Sequence, residues 1–260
     1  MVNAALALCF FTACNPSETK TTKTDSELTW SKSSKSDSSQ TGNQSDFLVT
    51  NPLPEIVSKE LNTAYPEVFE QAFLAENTFG LTQQVLGKLK IEGGKILAGD
   101  PAAMATLKPF AQDVPNGSFP VEIAIAPVGD YQGVHFARVR FNNSTVKEWE
   151  FARFSDQKPL KIEDTTMYCF KTESGMAVVL SPASIKTFEN SNPGQLWHHI
   201  FVEKAEENNH TGFLYSIKNQ NLMTCNTGTG PGCYSVYFGF NHNKEICQML
   251  LDFALINWWK

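Results

Sequence analysis

Two stretches with strict period-two alternation constrain the fold most. From Phe119 to Ala126, the side chains of Phe119, Val121, Ile123 and Ile125 fall on one face. From Val134 to Phe141, His135, Ala137, Val139 and Phe141 share one face, and Phe136, Arg138 and Arg140 share the other. A strand sends successive side chains to opposite faces, whereas a helix spreads such a pattern around its surface. The linkers around these runs, Gly129 to Gly133 and Asn142 to Thr145, are turn-length, and a third run follows from Val146 to Ala152. Three strands joined this tightly predict an antiparallel meander. Arg138 and Arg140 can then face Glu122, Glu148 or Glu150 across strands.

Further elements follow the same logic. Val85 to Ile91 alternates, Glu92-Gly93-Gly94 can supply positive φ, and Lys95 to Ala98 is again apolar, which predicts a β-hairpin. A second hairpin is expected from Tyr234 to Phe253 around Asn241 to Lys244, and Thr211 to Ile217 reads as a strand. Apolar spacing predicts a short helix from Pro54 to about Thr63 and another from Pro66 to Glu76, because proline suits a first turn and not an interior. Ser181-Pro182 opens a short helix to Phe188, and Leu196 to Lys204 fits helix or strand. The expected fold class is α+β: a twisted antiparallel β-sheet, as meander plus hairpins or a partial barrel, with a few peripheral helices.

The first residues read as an address. Ala4 to Phe11 is an apolar run too short to span a membrane, and it ends in Phe11-Thr12-Ala13-Cys14. A short apolar segment with small residues before a cysteine is the pattern of a bacterial lipoprotein signal, in which the Cys14 thiol is acylated. Residues 15–50 are then a Ser/Thr-rich tether with too little apolar surface to offset its ordering entropy. Residues 51–260 form the single β-rich globular domain. Two or three acyl chains on Cys14 suffice for stable anchoring. The expected location is the cell envelope, on the periplasmic or surface side of a bacterial membrane, with the membrane itself as first partner and another envelope protein as a candidate second.

Charge narrows the partners. The chain carries a formal net charge of -6. Glu18, Asp25, Glu27 and Asp37 balance Lys20, Lys23, Lys32 and Lys35, so the folded part holds all of the excess. An acidic surface repels phosphate backbones, which argues against nucleic acid.

Cys169, Cys225, Cys233 and Cys247 remain in the mature domain, and outside the cytoplasm four cysteines allow three pairings. Cys225 and Cys233 flank a glycine-rich stretch that a bridge between them would staple. Four buried thiols are the alternative. The irregular spacing does not suggest zinc, and no motif calls for a cofactor.

The order of several motifs resembles the bacterial domain of unknown function 4241 family. Gly94-Lys95-Ile96-Leu97-Ala98-Gly99-Asp100-Pro101 comes first, then Phe119-Pro120-Val121, Ala137-Arg138-Val139-Arg140-Phe141 and Trp149. Tyr237-Phe238-Gly239-Phe240 and Leu251-Asp252-Phe253 stand near the end. The resemblance runs from about Leu86 to Phe253. It implies a fold and a domain extent but no activity. Where the family pattern carries an acidic residue after Phe240, this chain has Asn241.

Few residues suggest chemistry. Thr227-Gly228-Thr229-Gly230-Pro231-Gly232 leads into a strand and not a helix, so it lacks the setting of a phosphate loop. Gly228, Gly230 and Gly232 remain a candidate binding loop. His198 and His199 are adjacent and should point apart, which disfavours a shared metal. Asp100, His135 and Asp252 are the polar candidates: a carboxylate pair brought together could do acid–base work, while a turn acceptor is the structural role for Asp100. No nucleophile signature occurs. The reading is a membrane-anchored lipoprotein with a non-catalytic envelope binding or interaction module. The alternatives are a hydrolase using Asp100, Asp252 or His135, and an inhibitor or immunity-type partner protein.

Overall fold

The two alternating stretches form strands β4 (Gly117–Val128) and β5 (Tyr131–Arg140), paired antiparallel with Glu122 opposite Arg138 and Ile123 opposite Ala137. The computed structural model describes residues 48–49, 67–162, 164, 166–256 and 258. The signal segment with Cys14, the tether and the expected helix to Thr63 lie outside these residues. Residues 42–260 group into one unit.

The remaining strands are β1 (Leu48–Val49), β2 (Thr82–Ile91), β3 (Leu97–Gly99), β6 (Glu148–Phe151), β7 (Met167–Tyr168), β8 (Phe170–Thr172) and β9 (Met176–Leu180). β10 (Gly212–Ile217), β11 (Gln220–Asn226), β12 (Gly232–Phe240) and β13 (Ile246–Asp252) follow. The larger sheet has the order β2-β4-β5-β13-β12-β6, with β8 also on β12; the smaller has the order β10-β11-β9-β3; β1 pairs with β7. All these pairings are antiparallel. The expected α+β class of antiparallel sheet with few helices holds; the strands divide into two main sheets and the short β1–β7 pair, and they close no barrel.

Both sheets are covered on both faces, which is why several strands read as unbroken apolar runs. Between the sheets, Val121, Val139, Phe238 and Met249 from the larger meet Ala98, Val179, Met223 and Cys225 from the smaller. Outside the smaller sheet, Val178, Leu180 and Leu222 pack under helix α1 (Pro182–Glu189) and the chain that follows it, through Phe188, Ile200 and Phe201. Outside the larger sheet, Phe136, Trp149, Tyr237 and Leu250 lie beneath Phe69 and Phe73. Each large apolar side chain buried this way contributes about 1.5–3 kcal/mol.

Phe69 and Phe73 belong to a helical turn at 67–71 and the bend after it, shorter than the helix expected to Glu76. Charge fastens it. Arg138 Nε donates to Glu122 Oε2 at 2.5 Å, both side chains being buried, while Glu70 reaches Arg138 Nη1 at 3.4 Å. The Phe73 ring lies 4.0 Å from the guanidinium carbon. Arg140 also pairs with Glu122, at 3.2 Å, so Glu122 takes both arginines and Glu148 and Glu150 take neither.

Three expectations are corrected. Gly93 and Gly94 do adopt positive φ, 82° and 67°, but β2 pairs with β4 and β3 with β9. The turn therefore carries the chain from one sheet to the other and closes no hairpin. The third meander strand, β6, does not join β5; it lies on β12, beyond β13. Crossing three strand spacings needs roughly 15 Å, which a handful of extended residues can span, so a short linker does not enforce neighbourhood. Finally, the disulfide joins Cys169 to Cys233, not Cys225 to Cys233. Cys233 lies opposite Lys171 on β8, beside Cys169, whereas Cys225 points into the core between the sheets and is a free thiol.

Other expectations hold. β12 and β13 form the second hairpin, with Asn241 Oδ1 accepting from the N–H groups of Asn243 and Glu245. Asn241 is thus the clamp of this turn. Residues 196–204 are helical: α2 (Pro193–His198) continues as a π-helical stretch, His199–Lys204, and a last α turn, Ala205–Glu207. Among the described residues, no helix is long and apolar enough to cross a membrane.

Candidate functional site

The segment after Gly99 builds a surface cleft. Asp100 caps a 3-10 turn, Pro101–Thr106, by accepting from Ala102 N at 2.8 Å. The chain from Leu107 to Val114 is then laced between two neighbours. Phe110 N donates to Ile96 O at 3.1 Å on one side, and Ala111 N donates to Arg153 O at 2.7 Å on the other. Gln112 repeats the link, donating to Phe151 O and accepting from Arg153 N. The stretch past β6 is held in turn by Gln157, whose Oε1 accepts from Phe154 N at 2.7 Å.

This lacing brings three distant segments around one cleft of ≈ 420 Å³, within the usual size for a small-molecule site. Phe110 and Phe154 stack in its wall with centroids 5.7 Å apart and planes 20° apart. Phe110 is anchored edge-on against Phe238 in the core. Lys95 Nζ also lines the cleft but is already held by Asp113 at 2.7 Å and Ala111 O at 2.6 Å. Lys108 and Asp156 line it too, and neither forms an ion pair among the described residues. Behind Phe110 and Phe154 lies a small apolar void of ≈ 20 Å³, walled by Tyr168, Cys169 and Val236.

The polar residues singled out from sequence lie outside the cleft lining; Asp252 and His135 stand on paired strands, with Asp252 opposite Phe136 and Phe253 N donating to His135 O at 3.1 Å. Asp100 is buried, and besides Ala102 N it accepts from Glu173 N at 2.7 Å, Ser174 N at 3.1 Å and Ser174 Oγ at 2.8 Å. Burial alone would raise its pKa, but these four bonds outweigh it and hold the carboxyl below its ordinary value. Asp252 is buried at the end of β13 with two donors, Ala254 N at 2.8 Å and Trp258 Nε1 at 2.7 Å. Here desolvation wins, and the pKa is pushed up to about 6. Both ring nitrogens of His135 are buried without a hydrogen-bond partner among the described residues. Burial lowers its pKa and favours the neutral ring. No hydrogen bond joins any two of Asp100, His135 and Asp252.

The glycine-rich stretch is built into the body. Thr227 is fully buried; its N–H donates to Gly175 O at 3.0 Å and its hydroxyl to Gly230 O at 2.6 Å. The Tyr234 hydroxyl donates to Gly230 O, and the Tyr131 hydroxyl to Gly228 O. Gly228 has φ of +70°, and a Cβ there would lie 2.1 Å from Leu255 Cδ1 and 3.1 Å from Val134 O. The position therefore requires glycine. A Cβ at Gly232 would meet the Tyr234 ring at 2.8 Å, while the space beside Gly230 is open.

His198 and His199 depart from the sequence reading. Both turn toward Glu203, with His199 Nδ1 2.7 Å and His198 Nε2 3.6 Å from its carboxylate oxygens. The π-helical stretch explains it: wider turns bring i+5 as well as i+4 near one face, which an α-helix does not. The contact with His199, with burial opposing it, holds the Glu203 pKa below its ordinary value. Among the described residues, no group of three or more His, Cys, Asp or Glu is placed to hold a metal ion.

Fold and site together define an α+β domain of two stacked antiparallel sheets with a laced, aromatic-walled cleft at the surface. Residues 89–251 match the model of the family described as protein of unknown function (DUF4241). That is well over half of the chain, which belongs to this family. No curated protein and no solved structure matches it. Every cleft residue named above falls inside the matched span. The cleft escaped sequence reading because Lys95, Lys108 to Ala111 and Phe154 to Asp156 share no local motif; only the Lys95 segment stood in a pattern that sequence could flag.

Proposed function

We propose that this chain is a lipid-anchored envelope protein whose two-sheet domain is a non-catalytic binding module. The observation that carries the binding reading is that no hydrogen bond joins the acid–base candidates to one another. Asp100 and Asp252 are each committed to main-chain, Ser174 or Trp258 donors, and neither reaches the other or His135. General acid–base work needs groups within hydrogen-bond reach of one reacting centre. The cleft, by contrast, combines an aromatic wall, Phe110 and Phe154, with a rim of charged and polar groups, Lys95, Lys108, Ser155 and Asp156, as a recognition site can.

The anchor reading rests on Phe11-Thr12-Ala13-Cys14 and the polar segment that follows it. Two or more acyl chains on one cysteine hold a protein on a bilayer without a spanning helix. Metabolic labelling of a bacterial host with a palmitate analogue tests it. The wild type should carry label and sediment with membranes, and Cys14→Ala should lose both. Equal label in the two proteins would remove the anchor.

A further inference from the structure

We propose that the cleft beside Phe110 and Phe154 is a binding site for a free amino acid with an aromatic or large aliphatic side chain. This rests on the reading of the domain as a binding module. Three features of the cleft specify the ligand.

The first is the pair of charges. Lys108 and Asp156 line the same cleft, yet they pair neither with each other nor with another charged side chain among the described residues. Lys95, the third charge of the lining, is already neutralised by Asp113. The cleft thus offers one uncommitted cation and one uncommitted anion. Both are exposed and solvated; a ligand with a single charge engages one of them, whereas a zwitterion engages both. An α-amino acid carries a carboxylate for Lys108 and an ammonium for Asp156 on one carbon.

The second is the wall. The Phe110 and Phe154 rings present a nearly parallel stack, with Phe110 fixed edge-on to Phe238. Such a surface takes a flat or branched apolar group by area burial, and an added aromatic ring by offset or edge-on contact. The third is room to adapt. Phe154 is only half-buried and separates the cleft from the ≈ 20 Å³ void behind it. That void is lined mainly by apolar side chains, and its polar members, Gln157 and Tyr168, are already bonded to Phe154 N and Lys158 O, so the ring can shift inward by about the space of one water without stranding a polar group.

Titration calorimetry of the full chain in detergent micelles tests this with three probes that share a phenyl ring. They are L-phenylalanine, 3-phenylpropionate, which lacks the ammonium, and phenethylamine, which lacks the carboxylate. L-Phenylalanine should bind most tightly, with a Kd of about 1 mM or below. Lys108→Gln should weaken L-phenylalanine and phenylpropionate roughly three- to tenfold and leave phenethylamine unchanged; Asp156→Asn should do the reverse. Phe154→Ala should weaken all three. Lys108 and Asp156 are exposed, so these two variants should fold as the wild type does. No binding of L-phenylalanine, or binding indifferent to Lys108→Gln and Asp156→Asn, would overturn the assignment. Chromatography of the recovered ligand separates this from the parent reading: chemically altered ligand would defeat the non-catalytic module, while intact ligand without binding defeats only the amino-acid site.

Discussion

Asp100 and Asp252 stand at opposite ends of the chain's sheet-forming part, each at the end of a strand and each buried, yet their electrostatics run in opposite directions. Asp100 gathers four donors from two segments and stays ionised below its ordinary range. Asp252 has two donors and a pKa raised to about 6. Burial penalises the charge in both; the number of donors decides which effect wins. The lesson is that a buried carboxylate at a strand end is no sign of chemistry until its donors are counted. Asp100 is a clasp between the 3-10 turn and the β8–β9 turn, and Asp252 is a seat for the chain that follows β13.

The largest expected effect breaks the Asp100 region. The Cys169–Cys233 bridge, with a sequence separation of 64, fixes the chain leading to Glu173 and Ser174. Cys233→Ala should cost about 4 kcal/mol by the loop-closure account, measured by chemical denaturation under oxidising conditions. Amide exchange should then rise at Glu173 and Ser174 before it rises at Ala254. Asp100→Ala comes next, at about 3 kcal/mol, because it removes charge-assisted bonds to three N–H groups and a hydroxyl at once. The same denaturation series would detect it.

Asp252→Asn should show its effect as a pH slope. The folded pKa of Asp252 lies above the ordinary 3.8, so the folded state holds the proton more tightly and stability falls as pH rises from about 4 through about 6. The span corresponds to roughly 2–3 kcal/mol. Asp252→Asn should flatten stability across that window. Asp100 has the opposite sign: its folded pKa lies below 3.8, so its contribution is present above that pH and is lost as the medium becomes more acid. Denaturation midpoints at a series of pH values should therefore slope downward with pH for one group and upward for the other.

Half of this contrast was legible in the sequence. Asp100 before Pro101 reads as a turn acceptor, and Ala102 N fulfils that role. The other three donors lie some seventy residues on, in a turn with no signature. The β12–β13 hairpin was legible because Asn241 to Lys244 closes it locally. The β6 position was not, because an extended linker reaches past two strands as easily as one. The paired approach of His198 and His199 to Glu203 was illegible for a related reason: it depends on a π-helical stretch that helix periodicity does not reveal. The cleft is the extreme case, its residues meeting through long-range bonds such as those of Phe110, Ala111, Gln112 and Lys95.

Carboxyl-detected NMR titration of Asp100 and Asp252, in the wild type and in Asp100→Asn, tests most directly whether these groups are separate structural acceptors. Two independent single-proton curves are predicted, one below 3.8 and one near 6, with the Asp252 midpoint unmoved by Asp100→Asn. Coupled curves, or an Asp252 midpoint that shifts in the variant, would reveal a shared acid–base site and contradict the binding-module account.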